Sequence, residues 1–251
     1  MQPAAPLIFQ HSRVIAKGRV CTKLRRAVRH LCVARVVVPT WLLTDTLSSG
    51  LILPLLSLDL IPEKIAVRYR LQEWNHAAAI LAGDFPNEWA DLLGCLDHFC
   101  LRHSAIMVGG GGRSQIPIDL DGYLNAKGWA ERQFNIGIRV DGNEIDVPTH
   151  KIDNFKNSVG VEVEWNNKTE FYDRDLNNFR LLHQLRAVSV GVIITRASEL
   201  QDLFDTLGIG PKYGNSTTHW DKLLPKINGG GAGGCPILAV GITDACYDAN
   251  I

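Results

Sequence analysis

The segment Val188–Thr195, Val-Ser-Val-Gly-Val-Ile-Ile-Thr, constrains the fold of this chain more than any other. A nearly continuous apolar run of strand length offers no polar side to water, so it predicts a central strand covered on both faces. Further strands are predicted at Val159–Trp165 and over Pro236–Thr243. Between the first two lies Asp173–Arg186, where Leu176, Phe179, Leu182 and Leu185 form a helical stripe. Asp173 and Asp175 suit the positive end of that helix dipole. Ser198-Glu-Leu-Gln201 reads as a capping-box start to a helix ending near Gly208. Upstream, helices are predicted over Glu73–Leu81 and Asn87–Cys100, separated at Asp84 and Pro86, and over Asp121–Gln133. Gly137–Val147 reads as a hairpin turning at Asp141-Gly142. Strand and helix alternate, so the fold class is α/β, a mixed β-sheet core flanked by helices.

The strand Val159–Trp165 carries the chemistry. Val159, Val161, Val163 and Trp165 fall on one side of it, and Gly160, Glu162 and Glu164 on the other. Carboxylates two positions apart sit about 6–7 Å from each other. Asp153, arriving from the preceding turn, brings a third negative charge. Such a cluster is costly unless a cation sits in it or water screens it. Hard oxygen ligands of this kind suit Mg²⁺ or Mn²⁺. The competing reading is a half-buried strand with a solvated acidic face, and the pattern alone weights the two about equally.

With 251 residues, 46% hydrophobic and 21% charged, the chain suits one large domain or one domain plus an appendage, and not intrinsic disorder. A net charge of zero gives no overall basicity for nucleic acid, although a DNA enzyme can concentrate its cations in one cleft. The charge is uneven: residues 1–60 hold eight Lys and Arg against two Asp and Glu, and the rest holds eighteen against twenty-four. The basic run Arg13 to Arg35 precedes an apolar stretch, Leu51 to Ile61, too short to span a bilayer. No small-residue cleavage site marks a signal peptide. The cysteines, at 21, 32, 95, 100, 235 and 246, lack metal-finger spacing, and a reducing cytoplasm is the natural reading. His150 and His219 have no second histidine at metal spacing. Gly109–Gly112 reads as a flexible stretch without the Gly-Lys-Ser/Thr of a phosphate loop, and Gly229–Gly234 as a mobile loop.

Asp153, eight residues, then Glu162-Val-Glu164-Trp resembles the active-site segment of the BglII/BstYI family of type II restriction endonucleases, in the PD-(D/E)xK nuclease superfamily. The resemblance continues through Asp175-Leu-Asn-Asn-Phe179, Val190–Ile194, Asn215–Asp221 and Pro236–Ile242, and reaches back weakly to Lys64–Val67 and Asn75–Leu81. It covers roughly residues 64–242 and is sharp only after about residue 150. It implies a restriction-endonuclease-like mixed sheet over residues 63–251. Residues 1–62 then form a basic and apolar extension, either outside the enzyme fold and translated from an upstream start, or a basic arm adding phosphate affinity.

By the same resemblance, Asp153, Glu162 and the backbone of Val163 hold Mg²⁺. The third motif position departs from the pattern: most of the superfamily has Lys there and these enzymes have Gln, but this chain has Glu164. Glu164 either orients or deprotonates the attacking water, or contributes to a second metal position. Asn166 and Asn167 match base-contacting polar residues of the family, and Asn215, Ser216 and Thr217 match a second recognition loop. Asn also favours turns, which is the alternative for both segments. Lys168 is a phosphate contact or a surface lysine. Lys151, Arg174, Arg180, Lys212 and Lys222 are further candidates for DNA contact, each taken singly more readily a solvated charge.

The expected function is Mg²⁺-dependent double-strand DNA cleavage by a cytoplasmic homodimer, with no membrane partner, at a short palindrome containing GATC. Cutting would leave 5′ overhangs, and a cognate DNA methyltransferase would protect the host. Two alternatives remain: a non-specific or structure-selective repair nuclease of the same fold, and a decayed DNA-binding protein in which Glu164 marks lost activity.

Overall fold

The computed structural model describes residues 57–108 and 113–251. Most of the predicted extension and all of Gly109–Gly112 therefore lie outside the described residues. Helix α1 (Glu63–Ala66) leads into strand β1 (Tyr69–Trp74) and helices α2 (Ala77–Asp84) and α3 (Pro86–His98). A short strand β2 (Leu101–Arg102) and helices α4 (His103–Met107) and α5 (Gln115–Ala126) follow. Five strands come next: β3 (Ala130–Arg132), β4 (Asn135–Val140), β5 (Asn143–Pro148), β6 (Ile152–Lys156) and β7 (Val159–Glu164). Then come helix α6 (Glu170–Gln184), strand β8 (Val190–Arg196), helices α7 (Leu200–Thr206) and α8 (Trp220–Asn228), and strands β9 (Ile237–Ile242) and β10 (Tyr247–Asp248).

Six strands form one mixed sheet in the order β1-β9-β8-β7-β6-β3. β7, β8 and β9 run parallel, while β1, β6 and β3 are antiparallel to their neighbours. Every residue of β7, β8 and β9 is buried, because helices cover both faces. On one face Val161, Val163, Val192, Ile194 and Val240 pack with Leu81 of α2, Leu92 and Leu96 of α3, Leu120 of α5 and Phe204 of α7. On the other, Ile193, Ile237 and Ala239 pack with Phe179 and Leu182 of α6 and with Trp220 and Leu223 of α8. Ile61 is buried in the first of these clusters, with Leu58 packed against it. β4 and β5 form a separate hairpin that turns at Asp141-Gly142, as the sequence predicts. Among the described residues no helix is long and apolar enough to cross a membrane.

Two predicted helices are displaced. Glu73 and Trp74 belong to β1, opposite Leu238 and Ile237 of β9. Asn75 and His76 then take positive φ, 55° and 58°, and α2 begins at Ala77. The Glu73 carboxylate accepts from the Ala78 amide at 2.8 Å. The helical spacing of Trp74, Ala78 and Leu81 gives way to the ladder, because pairing with a distant strand leaves no trace in local periodicity. Likewise α5 starts at Gln115, where the Ser114 hydroxyl caps it, and ends before Gly128 at φ 86°, leaving Ala130–Arg132 to pair with β6. Ser198 does not cap α7; its hydroxyl accepts from the Asp221 amide at 3.2 Å, a tertiary bond that outcompetes the local one. Gly229–Gly234, expected as a mobile loop, is a series of hydrogen-bonded turns in which Ala232 is buried.

Candidate active site

β6 and β7 are joined at Asn157-Ser158, both at positive φ (44° and 67°), the backbone that a two-residue primed turn needs. Asn154 pairs with Val161, which sets Asp153 beside Glu162. The Asp153 amide donates to Glu162 Oε2 at 3.3 Å, and the Val163 amide donates to Asp153 Oδ2 at 3.3 Å. Asp153 thus reaches the site from a strand and not from a turn; β6 is short and polar at Asp153 and Asn154, which hides its alternation. Asp153 is half-buried, whereas Glu162 and Glu164 are each only 1% exposed. The solvated-face reading of this strand is overturned.

Helix α6 does the covering. Gly160 of β7 and Gly191 of β8 pair in register, and a Cβ at either would come within 2.8 Å of the Phe179 ring. These two glycines let α6 sit close on the sheet. Four residues before Phe179 the helix presents Asp175 on the same face. Two residues after Gly160 the strand presents Glu162. Four helical residues advance about 6 Å and two strand residues about 6.6 Å, so the two steps keep pace. Asp175, fully buried, lands on the carboxylates of β7. The sequence assigns Asp175 only a helix-end role; the signal that finds it is the glycine pair taken together with the four-residue step from Phe179.

Four carboxylates now share one small region. Burial pushes Glu162 well above the usual carboxylate range, and the charges of Asp175, Asp153 and Glu164 push it further. Burial also raises Glu164, and so do the charge of Asp175 and a hydrogen bond with it. Asp175 is raised by burial but held back by its bond with Glu164 and by the Arg174 charge. Without a cation, therefore, burial and mutual repulsion favour protonation within the Glu162, Glu164 and Asp175 group. Glu162 Oε1 is buried with no hydrogen-bond partner among the described residues. An orphaned, buried, hard oxygen beside Asp153 fits a divalent cation. Among the described residues no three His, Cys, Asp or Glu side chains converge as a metal-ligand group.

The two polar segments are joined. Lys168 and Thr217 form an antiparallel bridge, Thr218 N donates to the Asn167 carbonyl at 2.8 Å, and Asn167 N donates to the Thr218 hydroxyl at 3.0 Å. Asn166 turns the chain at φ 58°, and its side-chain amide donates to the Lys212 carbonyl at 3.1 Å. Asn167 Nδ2 donates to Glu164 Oε2 at 2.8 Å. Both asparagines therefore have partners within the chain. Lys168, Asn215 and Ser216 are exposed, and Thr217 is half-buried with its hydroxyl donating to the Gly214 carbonyl at 2.9 Å.

This arrangement falls within a stretch already marked by kinship. The family model of the restriction endonuclease BglII/BglIII matches residues 69–242, more than half of the 251. The chain belongs to the BglII/BglIII restriction endonuclease family. The match spans β1 to β9 and includes every candidate site residue. Comparison with curated proteins gave no match. Family membership makes the chain a nuclease, a hydrolase of a restriction system that binds DNA, and its mixed sheet flanked by helices is a restriction-endonuclease-like fold.

In this restriction endonuclease a cleft of about 590 Å³ opens above the β7 carboxylates. Asp153, Val163, Glu164, Asn166 and Asn167 line it, while Glu162 lies beneath. Arg113, Lys151, Arg174 and Lys212 also line it. Arg113 pairs with Asp121, Lys151 with Glu131 at 2.6 Å, and Lys212 Nζ donates to the Ile106 carbonyl at 3.0 Å and to that of Val108. Asp121 is a further acid missed in sequence. It sits mid-helix on α5 and accepts from Asn154 Nδ2 at 2.6 Å; burial raises its pKa, with the Asp153 charge contributing. Its predicted place at a helix start concealed its inward direction.

Proposed function

We propose that this chain is a type II restriction endonuclease that cleaves both strands of DNA at a short palindrome containing GATC, with Mg²⁺ as cofactor. The observation that carries the reading is the half-buried Asp153 beside the buried Glu162, with its orphaned Oε1, at a cleft in a chain of this family. Asp153, Glu162 and the Val163 carbonyl would hold the cation, which supplies positive charge to the phosphate and acidifies water. Hydrolysis adds water to phosphorus and breaks the bond to O3′, leaving 5′-phosphate and 3′-hydroxyl ends. One proton must leave the water and one must reach O3′. Glu164 is the proton acceptor in this reading: burial and Asp175 bring its affinity for a proton into the range where transfer is effective. Asn167 at Oε2 and Arg174 at Oε1 fix the Glu164 carboxyl in one orientation.

Sequence readout is assigned to Asn215, Ser216 and Thr217, with Asn166, Asn167 and Lys168 bridged to that loop. One chain carries one set of carboxylates, so cutting both strands calls for a homodimer matching the two-fold symmetry of the site. A cytoplasmic setting and a cognate methyltransferase follow from the class of enzyme.

Digestion of unmethylated plasmid in Mg²⁺, with an EDTA control and sequencing of the ends, tests the reading. Discrete fragments with GATC-containing four-base 5′ overhangs are expected. A smear would replace it with a non-specific nuclease, and intact plasmid that is nonetheless bound would replace it with a decayed site.

A further inference from the structure

We infer that Arg174 is a catalytic residue whose guanidinium, delivered from helix α6, binds the phosphate to be cut and supplies the positive charge that the third motif position lacks. The inference rests on the nuclease reading above. Position 164 is a carboxylate, so β7 itself brings no cation to the cleft. Arg174 lies four residues into α6, one turn from the sheet end at which Glu164 sits. Its Nε donates to Asp175 Oδ1 at 2.8 Å and its Nη2 to Glu164 Oε1 at 3.3 Å. Its guanidinium lies over the Phe171 ring, 4.3 Å from the centroid. Three anchors thus fix one edge of the fork. No described residue is hydrogen-bonded to Nη1, and the side chain, 32% exposed, forms part of the cleft wall.

Of the four Lys and Arg side chains lining the cleft, only Arg174 touches Glu164. The ammonium of Lys212 is taken by two carbonyls, and Lys151 and Arg113 are paired with acids away from β7. A phosphodiester entering above Asp153 and Glu164 brings another negative charge to a crowded site. A planar fork held on one edge by carboxylates, with its other edge free, is preorganised to meet it. As water adds, charge grows on the non-bridging oxygens, and a fixed donor there lowers the barrier without reorganising. Arg174 stays protonated throughout and exchanges no proton.

The test compares wild type with Arg174→Gln and Arg174→Lys on the linkage that end sequencing shows to be cut. In single-turnover cleavage, Arg174→Gln is expected to slow by about 100-fold, the usual loss for one donor to a developing oxyanion. A second readout needs neither metal nor turnover: binding in EDTA to a duplex with that linkage as phosphodiester or as neutral methylphosphonate. Wild type should prefer the charged linkage by about tenfold, the worth of one charge-assisted contact, and Arg174→Gln should lose the preference. Cleavage at the wild-type rate, or an undiminished preference in the Gln variant, overturns the inference. Should Arg174→Gln unfold, Arg174→Lys carries the test, since it keeps the charge and should keep the preference; a folded Lys variant without it also overturns the inference. Wild type that cuts nothing sinks the nuclease reading itself, whereas cutting that is indifferent to residue 174 sinks only this assignment.

Discussion

At the residue scale, Glu162 combines complete burial, an orphaned oxygen and three acidic neighbours, an arrangement that weakens the fold until something positive occupies it. Glu162→Gln is therefore expected to abolish cleavage while leaving the melting temperature in EDTA at pH 8 equal to or above that of wild type. A lower melting temperature would show the carboxylate to be a stabilising group. The same raised carboxylates contribute to the pH dependence of the metal-free protein. Their folded-state pKa lies above the unfolded value, so they bind protons more tightly when folded. Their contribution to stability is then fully present below the unfolded value of 4.5 and is lost as pH rises towards about 9, where Glu164 ionises. Melting in EDTA between those limits should show a steady fall that Mg²⁺ reverses most at the alkaline end. Asn215 is exposed, so Asn215→Ala should leave stability within about 0.5 kcal/mol. If the loop reads bases, competition binding should show about 1–3 kcal/mol of lost discrimination between the cognate site and a one-base variant.

At the element scale, α6 is the piece on which the site depends. It places Asp175 and Arg174 because Phe179 fits over Gly160 and Gly191. A methyl at Gly160 would meet the Phe179 ring at 2.7 Å. Gly160→Ala should cost about 1–3 kcal/mol in urea unfolding, the usual penalty for overpacking. It should also lower cleavage by more than the population of unfolded chain explains, since lifting α6 moves Asp175 off β7. The existence of α6, β7, β8 and β9 was legible in the sequence, because their apolar patterns are long and locally complete. β1 was not, since its partner lies more than 160 residues away along the chain, and neither was β6, a five-residue strand whose buried Ile152 and Asn154 alternate with polar and aromatic side chains and so give no clear apolar pattern.

At the scale of the whole molecule, all ten candidate site residues lie between Asp153 and Thr217, inside the described fold. Removing residues 1–56 is expected to leave specific cleavage intact. A loss restored by low salt would instead show that the basic segment contributes phosphate affinity. By itself the sequence determined the α/β class, the central strands and the Asp153, Glu162, Glu164 set, because periodicity and the spacing of acids are local properties of the chain. Only the tertiary structure decided that those acids are buried, that Asp175 and Asp121 approach them, and that Asn167 and Arg174 hold Glu164. Each of these depends on the closeness of an element distant in sequence, and that closeness is set by packing, by the fit of one ring over two glycines and by the register of strands, none of which is written in any single segment.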